Sequence, residues 1–286
     1  FMDTTKIKGC LIIQSDDALP QFYFISIQKN GKFINNSSSD VVITKGIEND
    51  GALKGCKGTA CDYLFLNDSV FILGKDTAFI PRVKANNLYN RGIVSINKKI
   101  DVDSLFNLGG GVLVLSTDTQ NTLGFMDFSS DSNTVVFNKK GNQIFAKSLG
   151  VFQNLTIQNE GSKSISSNII VHGNLVIQKY SHLKTDSFQI IGNPYGLLKI
   201  DSLAKLTIGD NFSRKPIEFP LFFSKINCHD ASAVIYASMA DQNISSLPHY
   251  GCLTIDDGAI ASCKKYISGD SLIVKGNLKL SESSLQ

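Results

Sequence analysis

Asn154-Leu155-Thr156-Ile157, then Asn174-Leu175-Val176-Ile177, then Leu198-Lys199-Ile200, are the stretches that decide the fold. Each carries two apolar residues flanking one polar or β-branched residue. In a strand, alternate side chains face opposite ways, so the outer two residues enter a core and the middle one meets water. The leucines fall at 155, 175 and 198, about two dozen residues apart. That interval is one turn of a β-solenoid, in which each coil lays a strand on the last and equivalent side chains pile into a column. Leu206-Thr207-Ile208, Leu253-Thr254-Ile255 and Leu278-Lys279-Leu280 repeat the tripeptide.

Working outward, a longer repeat contains this one. Val135-Val136-Phe137 aligns with Val234-Ile235-Tyr236, and Gln143 with Gln242. Leu155-Thr156-Ile157 aligns with Leu253-Thr254-Ile255, and Gly173-Asn174-Leu175 with Gly276-Asn277-Leu278. Four anchors keep one order while loops of variable length shift the offset. The step corresponding to Gly161-Ser162-Lys163 is blurred near Ala261 to Lys265.

Helical periodicity with caps is nearly absent, and short apolar runs are punctuated by Gly, Asn, Asp and Ser. The expected fold is therefore all-β, a right-handed parallel β-helix (β-solenoid) with irregular insertions. Tandem β-sandwich domains are the alternative, but they rely on hairpins. Only Asn30-Gly31, Asp50-Gly51 and Asp257-Gly258 are obvious hairpin turns. Gly109-Gly110-Gly111 reads as a coil corner. The expected organisation is one elongated solenoid over 1–286. It has irregular coils at 1–130, a first long repeat at 131–211, an insertion at 212–230 and a truncated second repeat at 231–286. Within the first part, 40–90 reads as less regular. Both ends of the chain read as the interior of a larger protein.

Charge excludes some functions. Hydrophobic residues make up 42 % of the 286, charged residues only 19 %, and the net charge is +3. Average globular chains carry roughly 25 % charged residues. Lysines are scattered in runs no longer than two, and Arg82, Arg91 and Arg214 are the only arginines. Nucleic acid and polybasic membrane contacts need clustered cations, so neither is expected. No run of 18 apolar residues marks a membrane span.

Catalytic, cofactor and metal sites are all expected to be absent. A polysaccharide hydrolase needs carboxylates converging on one sugar bond. Asp16-Asp17, Asp127 with Asp131, and Asp256-Asp257 suit turns. Only Asp101-Val102-Asp103 sets two carboxylates on one strand face. No arginine adjoins an acidic cluster in the sequence, as a lyase would require. His172, His182, His229 and His249 lack metal spacing and read as solvated. Of six cysteines, Cys56 with Cys61 and Cys252 with Cys263 are nearest in sequence, as disulfides or as free thiols. Tyr63, Tyr89, Tyr180, Tyr195 and Tyr250 could stack on sugars, with Tyr180 and Tyr195 the best placed, near loops after strands. The competing reading packs them over the ends of the core.

The residues Val135 to Phe137, Gly141, Gln143, Ile144, Phe152, Asn154 to Ile157, Gly161, Lys163, Ile165, Ile169, Val171 and Gly173 to Ile177 resemble a repeat of large secreted proteins of Bacteroidota. In the second copy Cys252 replaces the Asn before Leu-Thr-Ile. The likeness covers 132–284 well and the first 130 residues poorly. It implies a β-helix of the adhesin type on the outer face of the outer membrane, with type IX secretion and, in some relatives, gliding motility. It implies partners among cell-surface or secretion-machinery proteins, or surface glycans, and supplies no active-site residues.

Overall fold

The computed structural model describes residues 3–14, 19–54, 62–118, 123–145, 147–212, 215–256, 264–269 and 271–280. Among them every regular element is a β-strand and every strand pairing is parallel. The chain is a right-handed parallel β-solenoid. Two compact units divide it, Phe1–Val136 and Phe137–Gln286.

In the first unit each coil has three sides. Cys10–Ile13, Lys32–Asn35 and Ala52–Lys54 lie on one side. Tyr63–Phe65 belongs to the second side and Ser69–Leu73 to the third. Thr77–Asn90 and Ile93–Asn107 each run round all three sides without a break, paired along most of their length. The described residues of this region, 40–54 and 62–90, are therefore regular, contrary to the sequence expectation. Thr77–Asn90 turns its corners without a Gly, so nothing in its sequence punctuates them. Inward positions Ala78, Ile80, Val83, Ala85, Leu88 and Asn90 are all buried.

Asn30-Gly31 and Asp50-Gly51 are corners between parallel sides, not hairpins. Asn30 takes φ 70°, and the Gly31 N–H donates to the Gln28 carbonyl at 2.7 Å. A Cβ at Gly31 would stand 2.2 Å from the Ile7 carbonyl oxygen of the coil beneath, so only glycine fits there. The corners are tied by buried asparagines. The Asn90 amide donates to Asn107 Oδ1 at 2.8 Å and to the Val112 carbonyl at 3.2 Å. Asn107 repeats this toward Gly111 and Thr134, both at 3.1 Å. Asn35, Asn49 and Asn133 are equally buried. An amide meets the backbone groups that a turn leaves unpaired, and those groups would be costly to bury alone.

In the second unit the tripeptides stack in two columns. Asn154–Ile157, Leu175–Ile177, Leu197–Ile200 and Lys225–Cys228 form one sheet, with Leu155, Leu175, Leu198 and Ile226 in register. Gln143–Ile144, Ser162–Ser164, His182–Lys184, Lys205–Ile208, Ala233–Tyr236, Cys252–Ile255 and Leu278–Leu280 form a second. Leu206, Val234, Leu253 and Leu278 stack there. Val151–Phe152, Ile169–Val171 and Ile190–Ile191 close the coil. Leu155, Leu175, Leu198 and Leu206 have no exposed surface; burying each such side chain contributes about 1.5–3 kcal/mol.

Part of the stretch read as an insertion joins the stack. Leu221 bridges Ile191, Ile217, Phe219 and Phe223 are buried, and Lys225–Cys228 extends the first sheet. The long repeat also changes sheets. Leu155-Thr156-Ile157 lies in the first sheet, whereas its counterpart Leu253-Thr254-Ile255 lies in the second.

Candidate functional site

Tyr180 stands at the corner between Leu175–Ile177 and His182–Lys184. The Ser181 N–H donates to the Gln178 carbonyl at 3.0 Å and closes the turn. Tyr180 itself adopts φ 65°, a left-handed conformation that costs a bulky residue about 1–3 kcal/mol. The result is that half of the side chain projects into water. One coil below, Gly161 takes φ 91°, and a Cβ there would lie 2.3–2.5 Å from the Gly141 backbone. The bare Gly141 corner and the projecting tyrosine border a depression of about 340 Å³.

Its walls are polar: Gln158, Asn159, Glu160 and Gln178, with Lys140 and Lys179. Lys179 Nζ sits 4.8 Å from the centre of the Tyr180 ring, a cation–π contact. Beneath lies Lys163, with no exposed surface. Its ammonium donates to the carbonyls of Glu160 (2.8 Å), Asn159 (3.1 Å), Gly141 (3.2 Å) and Gly161 (3.5 Å). Burial, then repulsion from Lys139, lower its pKa to about 8. Sequence reasoning singled out Tyr180; it missed the lysines because they sit on three different coils.

Tyr195 is almost fully exposed, on the turn between Ile190–Ile191 and Leu197–Ile200. Its N–H donates to Asn193 Oδ1 at 2.9 Å, and the Gly196 N–H donates to the Asn193 carbonyl at 2.8 Å. Tyr180 and Tyr195 thus leave different corners of the coil and do not make one site. Neither covers the core. Tyr63 and Tyr250 are wholly buried and are excluded as sugar contacts. Tyr89 lies between Phe71 (5.2 Å, 22°) and Phe106 (4.8 Å, 8°), with Phe125 beyond. Its ring faces are occupied by neighbours, so this ladder stabilises the sheet and offers no open face to a sugar.

Asp101 and Asp103 do share an exposed face about buried Val102. They border a depression of about 310 Å³ with Lys84, Leu64 and Leu66. Asp101 pairs with Lys99 at 3.3 Å. Coiling also does what the sequence order concealed. It sets Arg82 Nε 2.7 Å from Asp62 Oδ1, while the Asp62 N–H donates to Asp40 at 2.7 Å. An arginine therefore does adjoin acidic residues. Burial raises the Asp62 pKa, against the pull of Arg82 and with help from Asp40. Among the described residues no three His, Cys, Asp or Glu side chains converge to hold a metal ion. Asp16, Asp17 and Asp257 lie outside the described residues.

His172, His229 and His249 are exposed. His182 departs from the expectation: it is wedged between coils, its Nδ1 3.1 Å from Ser162 Oγ and its Nε2 2.8 Å from Thr207 Oγ1. Burial, with repulsion from Lys184, Lys205 and Lys163, lowers its pKa to about 4. Cys56, Cys61 and Cys263 lie outside the described residues. Cys10, Cys228 and Cys252 are free thiols. Burial pushes the Cys228 thiol up to about 12, which removes it as a nucleophile.

Compared with protein-family models, curated proteins and solved structures, the chain has no significant match in any of the three.

Proposed function

We propose that this β-solenoid is a structural and adhesive segment of a large secreted cell-surface protein. It acts as a rigid spacer whose corners present contacts. The observation that carries the reading is the unbroken inner column through Leu155, Leu175, Leu198 and Ile226. Every coil is fixed by its neighbours, so the stack resists bending and local opening. The resemblance to Bacteroidota repeats supports export by the type IX pathway, residence on the outer face of the outer membrane, and partners among surface proteins or glycans. The sparse charge and scattered lysines fit a surface that avoids pairing with foreign strands.

The test is to delete the segment from its parent protein and shave intact cells with protease. Protease-sensitive display, and loss of adhesion on deletion, are the expected results. A protease-protected segment, or unchanged adhesion, would overturn the reading. A second reading, binding or degradation of a polysaccharide, is favoured by the Tyr180 depression. Reducing-sugar release from plant and bacterial polysaccharides separates binding from cleavage.

A further inference from the structure

We propose that the depression beside Tyr180 is a binding site for an anionic sugar unit, one carrying a uronate carboxylate or a sulfate ester. The inference rests on the adhesive reading above and names the chemistry of its ligand. Three features of this corner coincide. The first is shape: Gly141 borders the depression without a side chain, and the adjoining Gly161 stays bare because a Cβ there would overlap the Gly141 backbone. A ring-sized ligand can approach the main chain there.

The second feature is an aromatic platform. Tyr180 is held outward by a left-handed backbone, and half of its side chain is open to solvent. Lys179 occupies one side of the ring. Pyranose C–H groups stack on an aromatic face, and amides such as Gln158 and Gln178, which border the depression, suit the ring hydroxyls. The Phe71–Tyr89–Phe106 ladder lacks this property, since its rings stack on each other.

The third feature is charge. Lys140 and Lys179 line the depression, and Glu160 is its one acidic wall residue. Lys163 lies beneath them, its ammonium bonded to the carbonyls of that corner. Cations therefore outnumber the single carboxylate in the wall. A partly enclosed cationic site favours an anion more strongly than an exposed one. The anion would lie between Lys140 and Lys179 while the sugar ring lies on Tyr180.

The experiment uses the full 286-residue chain, immobilised, with polygalacturonate, dextran sulfate and neutral dextran as probes at low and high salt. Tyr180→Gly removes the ring and keeps the left-handed backbone without strain. The double variant Lys140→Gln with Lys179→Gln removes the charge while Lys163 stays in place. The expected result is retention of one polyanion and not of dextran. Retention should fall with salt and by about tenfold or more in each variant, equivalent to ~1.4 kcal/mol. Tyr195→Ala should bind as the parent does. Whichever polyanion is retained identifies uronate or sulfate. Equal retention of dextran, or polyanion binding indifferent to both variants, would overturn the site. A chain that supports cell adhesion yet binds neither polyanion would remove this inference and leave the adhesive reading standing. Polyanion binding without any effect of deletion on adhesion would do the reverse.

Discussion

The two copies of the long repeat bury the same framework and finish it with different chemistry. In the first, Phe137, Phe145 and Phe152 make an all-carbon cluster, with Phe137 and Phe145 stacked at 3.7 Å and Phe152 edge-on to both. In the second, Tyr236 replaces Phe137, Ile244 replaces Phe145 and Tyr250 replaces Phe152. The edge-on geometry survives: 6.4 Å and 75° for Phe137–Phe152, 6.5 Å and 67° for Tyr236–Tyr250. The two new hydroxyls are fully used. The Ser245 N–H donates to Tyr236 (3.0 Å), Tyr236 donates to Tyr250 (2.8 Å), and Tyr250 donates back to the Ser245 carbonyl (2.7 Å). Such a circuit offsets the cost of burying the two phenols. Burial raises the pKa of both tyrosines, Tyr236 to about 12.

A second pair sharpens the contrast. Gln143 faces Lys163 across one coil step, and Gln242 faces Lys265 across the other. Lys163 gives its ammonium to four carbonyls. Lys265 bonds to the Ser238 and Ala240 carbonyls and to Gln242 Oε1 at 2.9 Å. Lys163 is sealed from water, whereas Lys265 is only half-buried. Lys265 thus takes the role of Lys163, although Cys263 stands where the first copy has Gly161. The corresponding sheets differ because the second copy is built one side further round the coil. The lesson is that the repeat conserves a local instruction, apolar column plus caged cation, and leaves its place in the cross-section to the packing around it.

The comparison can be broken at its strongest point first. Lys163→Met should lose about 3 kcal/mol of unfolding free energy in urea, and Lys265→Met about 1–2, because only the first strands a fully buried set of carbonyls. Equal losses would mean that the two lysines are not differently caged. Phe152→Tyr, the swap of the second copy's residue into the first, should lose about 2 kcal/mol by burying a hydroxyl without the Ser245 circuit. A neutral result would show that the first copy can supply partners too. Tyr250→Phe, the reverse swap, should lose about 1 kcal/mol, since it opens a satisfied circuit while keeping the ring.

The smallest effect is electrostatic and lies in the same unit. His182 has its folded pKa lowered to about 4 from 6.5. Between those values the unfolded chain holds the proton that the folded chain refuses, so stability rises with pH there and is lost on acidification. Partial exposure limits the loss to about 1–2 kcal/mol. Thermal melts from pH 7 to pH 4 should show that decline, and His182→Asn should flatten it; an unchanged slope would assign the acid sensitivity elsewhere.

Much of the fold was legible because strand alternation has a period of two and the coil a nearly constant length. Leu155, Leu175 and Leu198 announced their column directly. The asparagine ties at Asn90 and Asn107 were not legible, since their spacing varies with loop length and each looks like an ordinary turn residue. Of the candidate site, Tyr180 could be named from its place after a strand. Its partners Lys140 and Lys179 could not, because they belong to coils on either side of the Gln158–Gly161 corner. The same holds for Arg82 with Asp62, which are neighbours only across a coil.

By itself, the sequence determined that this protein buries paired apolar side chains at a coil's interval, since burial demands alternation and alternation is written in the order of residues. Only the tertiary structure decided which columns share a sheet, which tyrosines stay dry and which lysines meet. Those depend on the length and bend of each corner, and corner geometry follows from the coil beneath it.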